Sequence, residues 1–304
     1  MCATCGCSGT TAVRLLPAGV PEEAGAGRQA GHPHGHADHE HPGHEHPEHH
    51  EHPEHAEHAE HPEHPDHAEH PEHHIHQHDQ QSQADERTVQ LQQKVLAKND
   101  RLAQLNRDWL RQRGVLAINL MSSPGAGKTT LLERTARELK GKMSFSVIEG
   151  DQAAMLDAER IRAAGCHVVQ INTGVGCHLD AEMVAEGLRL LDPPSGSVVM
   201  IENVGNLVCP ALFDLGEEAR VVLASVAEGD DKPLKYPYMF RQADLVLVSK
   251  TDLLPYVNFD SKRHAADVRR TAPDALMLKV SATTGAGMSD WYAWLRRRTP
   301  VPQE

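Results

Sequence analysis

Val115-Leu116-Ala117-Ile118-Asn119-Leu120-Met121-Ser122-Ser123-Pro124-Gly125-Ala126-Gly127-Lys128-Thr129-Thr130 decides the fold. An apolar run of strand length, 115–121, empties into a turn of small residues, and a helical pattern over 129–139 follows. The phosphate-binding loop pattern is Gly-x-x-x-x-Gly-Lys-Ser/Thr, and only its first position departs here, where Ser122 stands. Small residues let successive backbone N–H groups curl around phosphates. Lys128 counters the β/γ charge, and the Thr129 hydroxyl reaches Mg²⁺. Gly125, Ala126, Gly127, Lys128, Thr129 and Thr130 are therefore the expected phosphate-binding residues.

Working outward, strands are expected at 144–148, 168–171, 198–201, 221–226, 245–248 and 276–280. Helices are expected at 155–164, 179–191, 259–270 and 288–298. This alternation predicts an α/β P-loop NTPase with a mostly parallel sheet flanked by helices. Such a sheet binds ligands at its carboxyl ends, and acids fall there. Glu202 ends the apolar run Val199-Met200-Ile201 and precedes Gly205, a position suited to sensing a γ-phosphate. Asp151 follows the 144–148 strand. Either acid could hold Mg²⁺, although solvated loop acids are the plainer alternative. Ser249-Lys250-Thr251-Asp252 resembles the guanine motif of GTPases. Asp252 can accept from both guanine N1–H and its 2-amino group, and the Lys250 stem can lie over the base. Ser281-Ala282 resembles the last guanine loop. Together these favour GTP over ATP.

The other end of the chain differs in kind. Twenty of the 47 residues from 32 to 78 are histidine, and seven prolines and twelve acids share that stretch. Such a segment cannot build a packed core and is expected to be disordered without metal. Imidazole suits Ni²⁺, Zn²⁺ and Cu²⁺, so a metal cargo is implied. Residues 29–86 carry fifteen acids and no Lys or Arg, against a whole-chain charge of −13. The remainder is nearly neutral and has no basic stripe of the kind that nucleic-acid binding needs. No secretory signal or membrane-length apolar run is read, which points to a cytoplasmic protein. Cys2-x-x-Cys5-x-Cys7 offers three thiolates within six residues. The α-amino group of Cys2 is a possible fourth ligand if Met1 is removed. Cys166-His167 opens a strand and Cys209 follows the Glu202 segment; these three could share an ion, and Cys177-His178 is a rival pair. The organisation expected is a cysteine motif at 1–8, a His-rich tail at 9–86, a leading helix at 87–114 and a GTPase domain at 115–304. Val89, Val95, Leu96, Leu102, Leu105, Trp109 and Leu110 give the leading helix its apolar face. It packs on the domain or forms a dimer contact.

The motifs jointly resemble the hydrogenase nickel-incorporation GTPases, the HypB family. They are the cysteine triad, Ser122 to Thr130, Glu149-Gly150-Asp151, Asp157-Ala158-Glu159-Arg160-Ile161, Cys166-His167, Ile171-Asn172-Thr173-Gly174 with Cys177-His178-Leu179-Asp180-Ala181, Glu202 to Pro210, Glu228-Gly229-Asp230-Asp231-Lys232-Pro233-Leu234-Lys235-Tyr236-Pro237 and Ser249 to Asp252. The resemblance implies a high-affinity nickel site at Cys2, Cys5 and Cys7. It implies a weaker nickel or zinc site at Cys166, His167 and Cys209 near a dimer interface, and a nickel-storing tail. It further implies a GTP-promoted homodimer whose slow hydrolysis gates nickel delivery to the [NiFe]-hydrogenase large subunit, with a second maturation chaperone as partner. Lys128, Thr129, Asp151 and Glu202 would carry the hydrolysis. Two rivals stand beside this reading: a urease-accessory nickel GTPase, and a nickel buffer whose GTPase activity is incidental.

Overall fold

A computed structural model of the chain describes residues 12–16, 75–151 and 156–299. The compact unit comprises residues 1–20 and 84–304; residues 21–83 form a second unit. The cysteine triad and nearly all of the histidine tract lie outside the described residues.

Strands β1 (Ala12–Leu16), β2 (Leu116–Ser122), β3 (Phe145–Asp151), β4 (His167–Asn172), β5 (Val198–Glu202), β6 (Ala219–Ser225), β7 (Leu245–Ser249) and β8 (Leu276–Lys279) form one sheet of order β1-β4-β3-β5-β2-β6-β7-β8. All neighbours from β4 to β8 are parallel, as the alternation predicts, and β1 alone runs antiparallel at the β4 edge. The helices are α1 (Ile75–Gln112), α2 (Lys128–Leu139), α3 (Leu156–Ala163), α4 (Ala181–Leu191), α5 (Lys232–Lys235), α6 (Pro237–Arg241), α7 (Ser261–Thr271) and α8 (Met288–Arg298). Among the described residues no helix is long and apolar enough to cross a membrane.

Because side chains alternate along a strand, β2 divides the core in two. Leu116, Ile118 and Leu120 face one layer with Leu131, Leu132, Ile161, Trp291 and Trp294, from α2, α3 and α8. Val115 and Ala117 face the other, with Leu110 of α1 and Val184 and Leu188 of α4. Met121 continues that second face with Phe240 of α6 and Val268 of α7.

Three features differ from the sequence expectation. Residues 12–16, read as part of the tail, add an edge strand; five residues interrupted by Arg14, without a partner in view, carry little signal. Helix α1 begins at Ile75 rather than near residue 87. Its first turns hold Gln, Glu and Ala, good helix formers that show no apolar period. The expected apolar face of α1 is only in part its packed face. Leu110 is buried and Leu96, Leu102 and Trp109 are half-buried, but Val89, Val95 and Leu105 are exposed, and Asn99, Ala103 and Asn106 are buried instead. The helix lies over loops whose backbone groups need partners, and amides there outcompete aliphatic side chains.

Candidate nucleotide and metal site

The β2–α2 turn makes a phosphate cradle. Gly125 and Gly127 hold φ of 74° and 101°, left-handed conformations that turn the loop back on itself. Lys128 is buried and its Nζ donates to Ser122 Oγ at 3.0 Å, so Ser122 replaces the usual glycine without opening the loop. Thr129 Oγ1 donates to Glu202 Oε1 at 2.8 Å, which joins the loop to the end of β5. A Cβ on Gly205 would stand 2.9 Å from Pro124 Cα, so the chain after β5 touches the cradle at a position only glycine fills. Ser123 Oγ donates a short hydrogen bond to Glu228, which opens the Glu228 to Pro237 motif.

These groups open on a cavity of ≈580 Å³ lined also by Glu149, Asp151, Asp157, Arg160, Cys177 and Lys250. Its acids are unusual. Burial, reinforced by Glu202 and Asp151, pushes the Glu149 carboxyl up to about 9. Burial also lifts Glu202 to about 7, against the opposing pull of Lys128. Lys128 itself is lowered by burial. Glu149 Oε2 and Glu202 Oε2 are buried without a hydrogen-bond partner. Orphaned carboxylate oxygens next to a threonine hydroxyl are the hard donor set that a divalent cation fits. A second cavity of ≈570 Å³ lies at the amino end of the sheet, lined by Arg107, Arg111, Arg113 and Arg298. Each of these arginines is already ion-paired, and among the described residues no helix N-terminus or lysine stands there to receive a phosphate.

The residues expected to recognise the base converge beside the cradle. Ser249 Oγ donates to the Ala126 carbonyl at 2.8 Å, tying β7 to the phosphate loop. Lys250 adopts φ 56°, and its Cε would lie 3.7 Å from a Cβ on Gly127. Ser281 Oγ donates to Asp252 Oδ1 at 2.6 Å. Arg134 donates to the carbonyls of Ala282 and Thr283, holding the last loop in place.

The expected metal set does not assemble. His167 pairs with Ser146 at the amino end of β4, and Asn172 pairs with Asp151 at its carboxyl end. At ~3.3 Å per residue the strand alone separates the ends by about 17 Å, and Cys209 lies beyond the carboxyl end of β5. Cys166 is a core residue whose thiol donates to the Phe145 carbonyl at 3.2 Å, and burial pushes it up to about 12. His167 is exposed on its own. Instead, Cys177, His178 and Cys209 come together, with their ligand atoms all within 4.8 Å of one another. Cys177 Sγ lies 3.8 Å from His178 Nδ1. The His178 ring stacks on Phe213 with centroids 3.9 Å apart, and burial lowers its pKa, which keeps the imidazole neutral and able to ligate. The rival dipeptide is therefore the one that meets Cys209. Cys177 also lines the nucleotide cavity, so the two sites share a wall.

Residues 116–279 match the family of CobW/HypB/UreG nucleotide-binding domains. The hydrogenase maturation factor HypB of Rhizobium leguminosarum bv. viciae is 53% identical over 212 residues, covering 70% of this chain and 71% of the relative. The crystal structure of HypB from Archaeoglobus fulgidus superposes with a TM-score of 0.63 at 41% identity, covering 67% of this chain and all of that one. That of HypB from Helicobacter pylori, solved in complex with nickel, superposes with a TM-score of 0.62 at 37% identity, covering 68% and 99%. A P-loop at the carboxyl edge of a parallel sheet, a Cys-His-Cys cluster on its rim and these relatives place the chain in the HypB family of hydrogenase maturation factors.

Proposed function

We propose that the protein is a GTP-hydrolysing nickel metallochaperone that stores nickel and delivers it to the large subunit of a [NiFe]-hydrogenase. The observation that carries this reading is Cys177, which belongs both to the wall of the phosphate cavity and to the Cys177–His178–Cys209 cluster. A nucleotide in the first site is felt in the second.

In this reading Lys128 and the N–H groups of the loop hold the β/γ-phosphates. A water attacks the γ-phosphorus, the bond to the β–γ bridging oxygen breaks, and GDP and phosphate leave. Mg²⁺, when bound, neutralises charge on the phosphates; Thr129, Glu202 and Asp151 are the residues that would hold it. Lys250, Asp252, Ser281 and Ala282 select guanine. Gly205 packs on Pro124, so in this reading loss of the γ-phosphate shifts it and the Cys209 segment that follows. Nickel is the cargo of the rim cluster, for which zinc competes, since two thiolates and an imidazole suit both. The histidine tract is the store, and Cys2, Cys5 and Cys7 a separate tight site. A GTP-promoted homodimer in the cytoplasm, a second maturation chaperone and the hydrogenase precursor complete the cycle.

The test is a nickel titration of the full chain carrying Cys2→Ser, Cys5→Ser and Cys7→Ser, followed by thiolate-to-nickel absorption in the near ultraviolet. Histidine and carboxylate ligands of the tail give no such band. A band that Cys209→Ala leaves on Cys177 alone, with nickel weakened at least about 100-fold, and whose midpoint differs between GTP-analogue and GDP states, is the expected result. A band unaffected by Cys209→Ala rejects the site, and one indifferent to nucleotide rejects the gating.

A further inference from the structure

The rim cluster draws its ligands from two separate loops. Cys177 and His178 ride between β4 and α4, and Cys209 rides after β5. Their separation decides whether an ion fits, so whatever bridges the loops belongs to the site.

Helix α1 bridges them with two side chains. Asn99 Oδ1 accepts from the Ala181 N–H at 2.9 Å while its Nδ2 donates to the Asp214 carbonyl at 2.8 Å. Asn106 Nδ2 donates to the Ala181 carbonyl at 2.8 Å and to the Leu215 carbonyl at 3.0 Å. Ala181 lies three residues past His178, and Asp214 lies five past Cys209. Phe213, on which His178 stacks, adjoins Asp214. Arg107 then grips both Asp214 carboxylate oxygens, at 2.7 and 2.6 Å.

Both asparagines are only 5% exposed, and Ala103 between them is fully buried. Seven residues make about two helical turns, so the two amides lie on one face and each touches both loops. An amide carries the donor and the acceptor that Asn99 uses at once, on two atoms that can face different loops. A buried seam that merely packs would do as well with leucine.

We propose that Asn99 and Asn106 are positioning residues of the metal site, holding the Cys177-His178 loop and the Cys209 loop at the spacing nickel requires. This rests on the reading of the cluster as a nickel site. The nucleotide end of the same loops has its own tie. Asn203 Oδ1, just past β5, accepts from the N–H groups of Leu179 at 3.1 Å and Val204 at 3.0 Å. The ligand loops are thus held between a fixed bridge on α1 and a tie beside Gly205.

The test uses the full chain with Cys2→Ser, Cys5→Ser and Cys7→Ser as parent, nickel as the probe and the thiolate-to-nickel band as the readout. Asn99→Ala and Asn106→Ala are made in this parent and again with Cys209→Ser. The expected result is nickel binding weakened about 10- to 100-fold in the parent background, the range for groups that orient a ligand. With Cys209 already gone the same changes cost little more, because the bridge acts through that ligand. Retained GTP-analogue binding shows that each variant is folded. Should an alanine variant fail to fold, Asn99→Leu replaces it, since it keeps the bulk of the side chain and removes both hydrogen bonds without adding a charge. Unchanged nickel affinity in a folded variant overturns the proposal. So does an equal loss in both backgrounds, which would mean general loosening. A parent without any thiolate band removes the nickel-site reading and the bridge with it. A parent with the band and variants that keep it removes the bridge alone.

Discussion

The chain carries the same dipeptide at both ends of one strand. Cys166-His167 opens β4, and Cys177-His178 follows its other end eleven residues later. The first pair is split: the thiol enters the core under α3 and the imidazole faces solvent. The second pair stays together on a loop at the carboxyl edge, where Cys209 and the phosphate cavity meet it. Composition cannot distinguish the two pairs, but strand polarity does. In a parallel sheet the carboxyl edge gathers loops from neighbouring strands, and the amino edge returns chain from helices. A ligand set needs several loops to converge, so the carboxyl edge is where a metal finds one.

The comparison is most easily broken at its ligands. Cys177→Ala and Cys209→Ala should each weaken nickel at the rim site by at least about 100-fold, more than the loss of any orienting group. Cys166→Ala and His167→Ala should leave that affinity unchanged. Nickel titration followed by the thiolate band decides it, and a comparable loss from Cys166→Ala would reverse the assignment.

The next largest effect asks whether the carboxyl edge is also the nucleotide edge. Asp252→Asn should weaken GTP by roughly 10- to 150-fold, the equivalent of a charged hydrogen-bonding partner worth about 1.5–3 kcal/mol. Xanthine nucleotide should gain, because the new amide can donate to its 2-oxo group. Competition binding with GTP and XTP checks both directions. Unchanged GTP affinity would move base recognition elsewhere and reopen the arginine-lined cavity at the amino edge.

Sharing an edge should couple the two sites. The rim-site nickel affinity is expected to differ between GTP-analogue and GDP states by about 5- to 150-fold, and nickel should shift the preference between those nucleotides by the same factor. Measuring both legs of the cycle on one protein tests the reciprocity. Equality of nickel affinity in the two states would leave two neighbouring but independent sites.

What the sequence showed and hid follows the same line. The phosphate loop is legible because its chemistry is local: Gly127, Lys128 and Thr129 are consecutive, and an apolar strand precedes them. The parallel sheet is legible because its strands are buried on both faces and read as apolar runs. Glu202 and Asp151 are legible as strand-end acids. The Cys177–His178–Cys209 cluster is not, because two Cys-His pairs satisfy the spacing equally and only the strand's direction separates them. Asn99 and Asn106 are hidden for another reason. Asparagine at helical spacing resembles a solvated stripe, while several of the aliphatic residues that do show a period, Val89, Val95 and Leu105, are exposed. Where a helix covers loops rather than a sheet, polarity stops reporting burial.

The smallest expected effect sharpens the silent half of the comparison. If Cys166 is a packing residue, its substitution should register in stability and nowhere else. Cys166→Ala removes one buried sulfur from the layer that holds Phe145, Ile161 and Val168, and frees the Phe145 carbonyl of one weak donor. A cost of ~1 kcal/mol is expected for so small a cavity, read as a lower denaturation midpoint with the slope unchanged. Cys166→Ser should cost more despite its closer size, because a hydroxyl loses more on leaving water than a thiol does, and the Phe145 carbonyl returns only part of that. Cys177→Ser is the counterpart: on the half-exposed loop it should leave stability nearly intact while weakening nickel. The pair of serine variants therefore separates the dipeptides in opposite observables. A Cys166→Ser protein as stable as its parent would mean that this end of β4 is open to water, and that its thiol is available for chemistry after all.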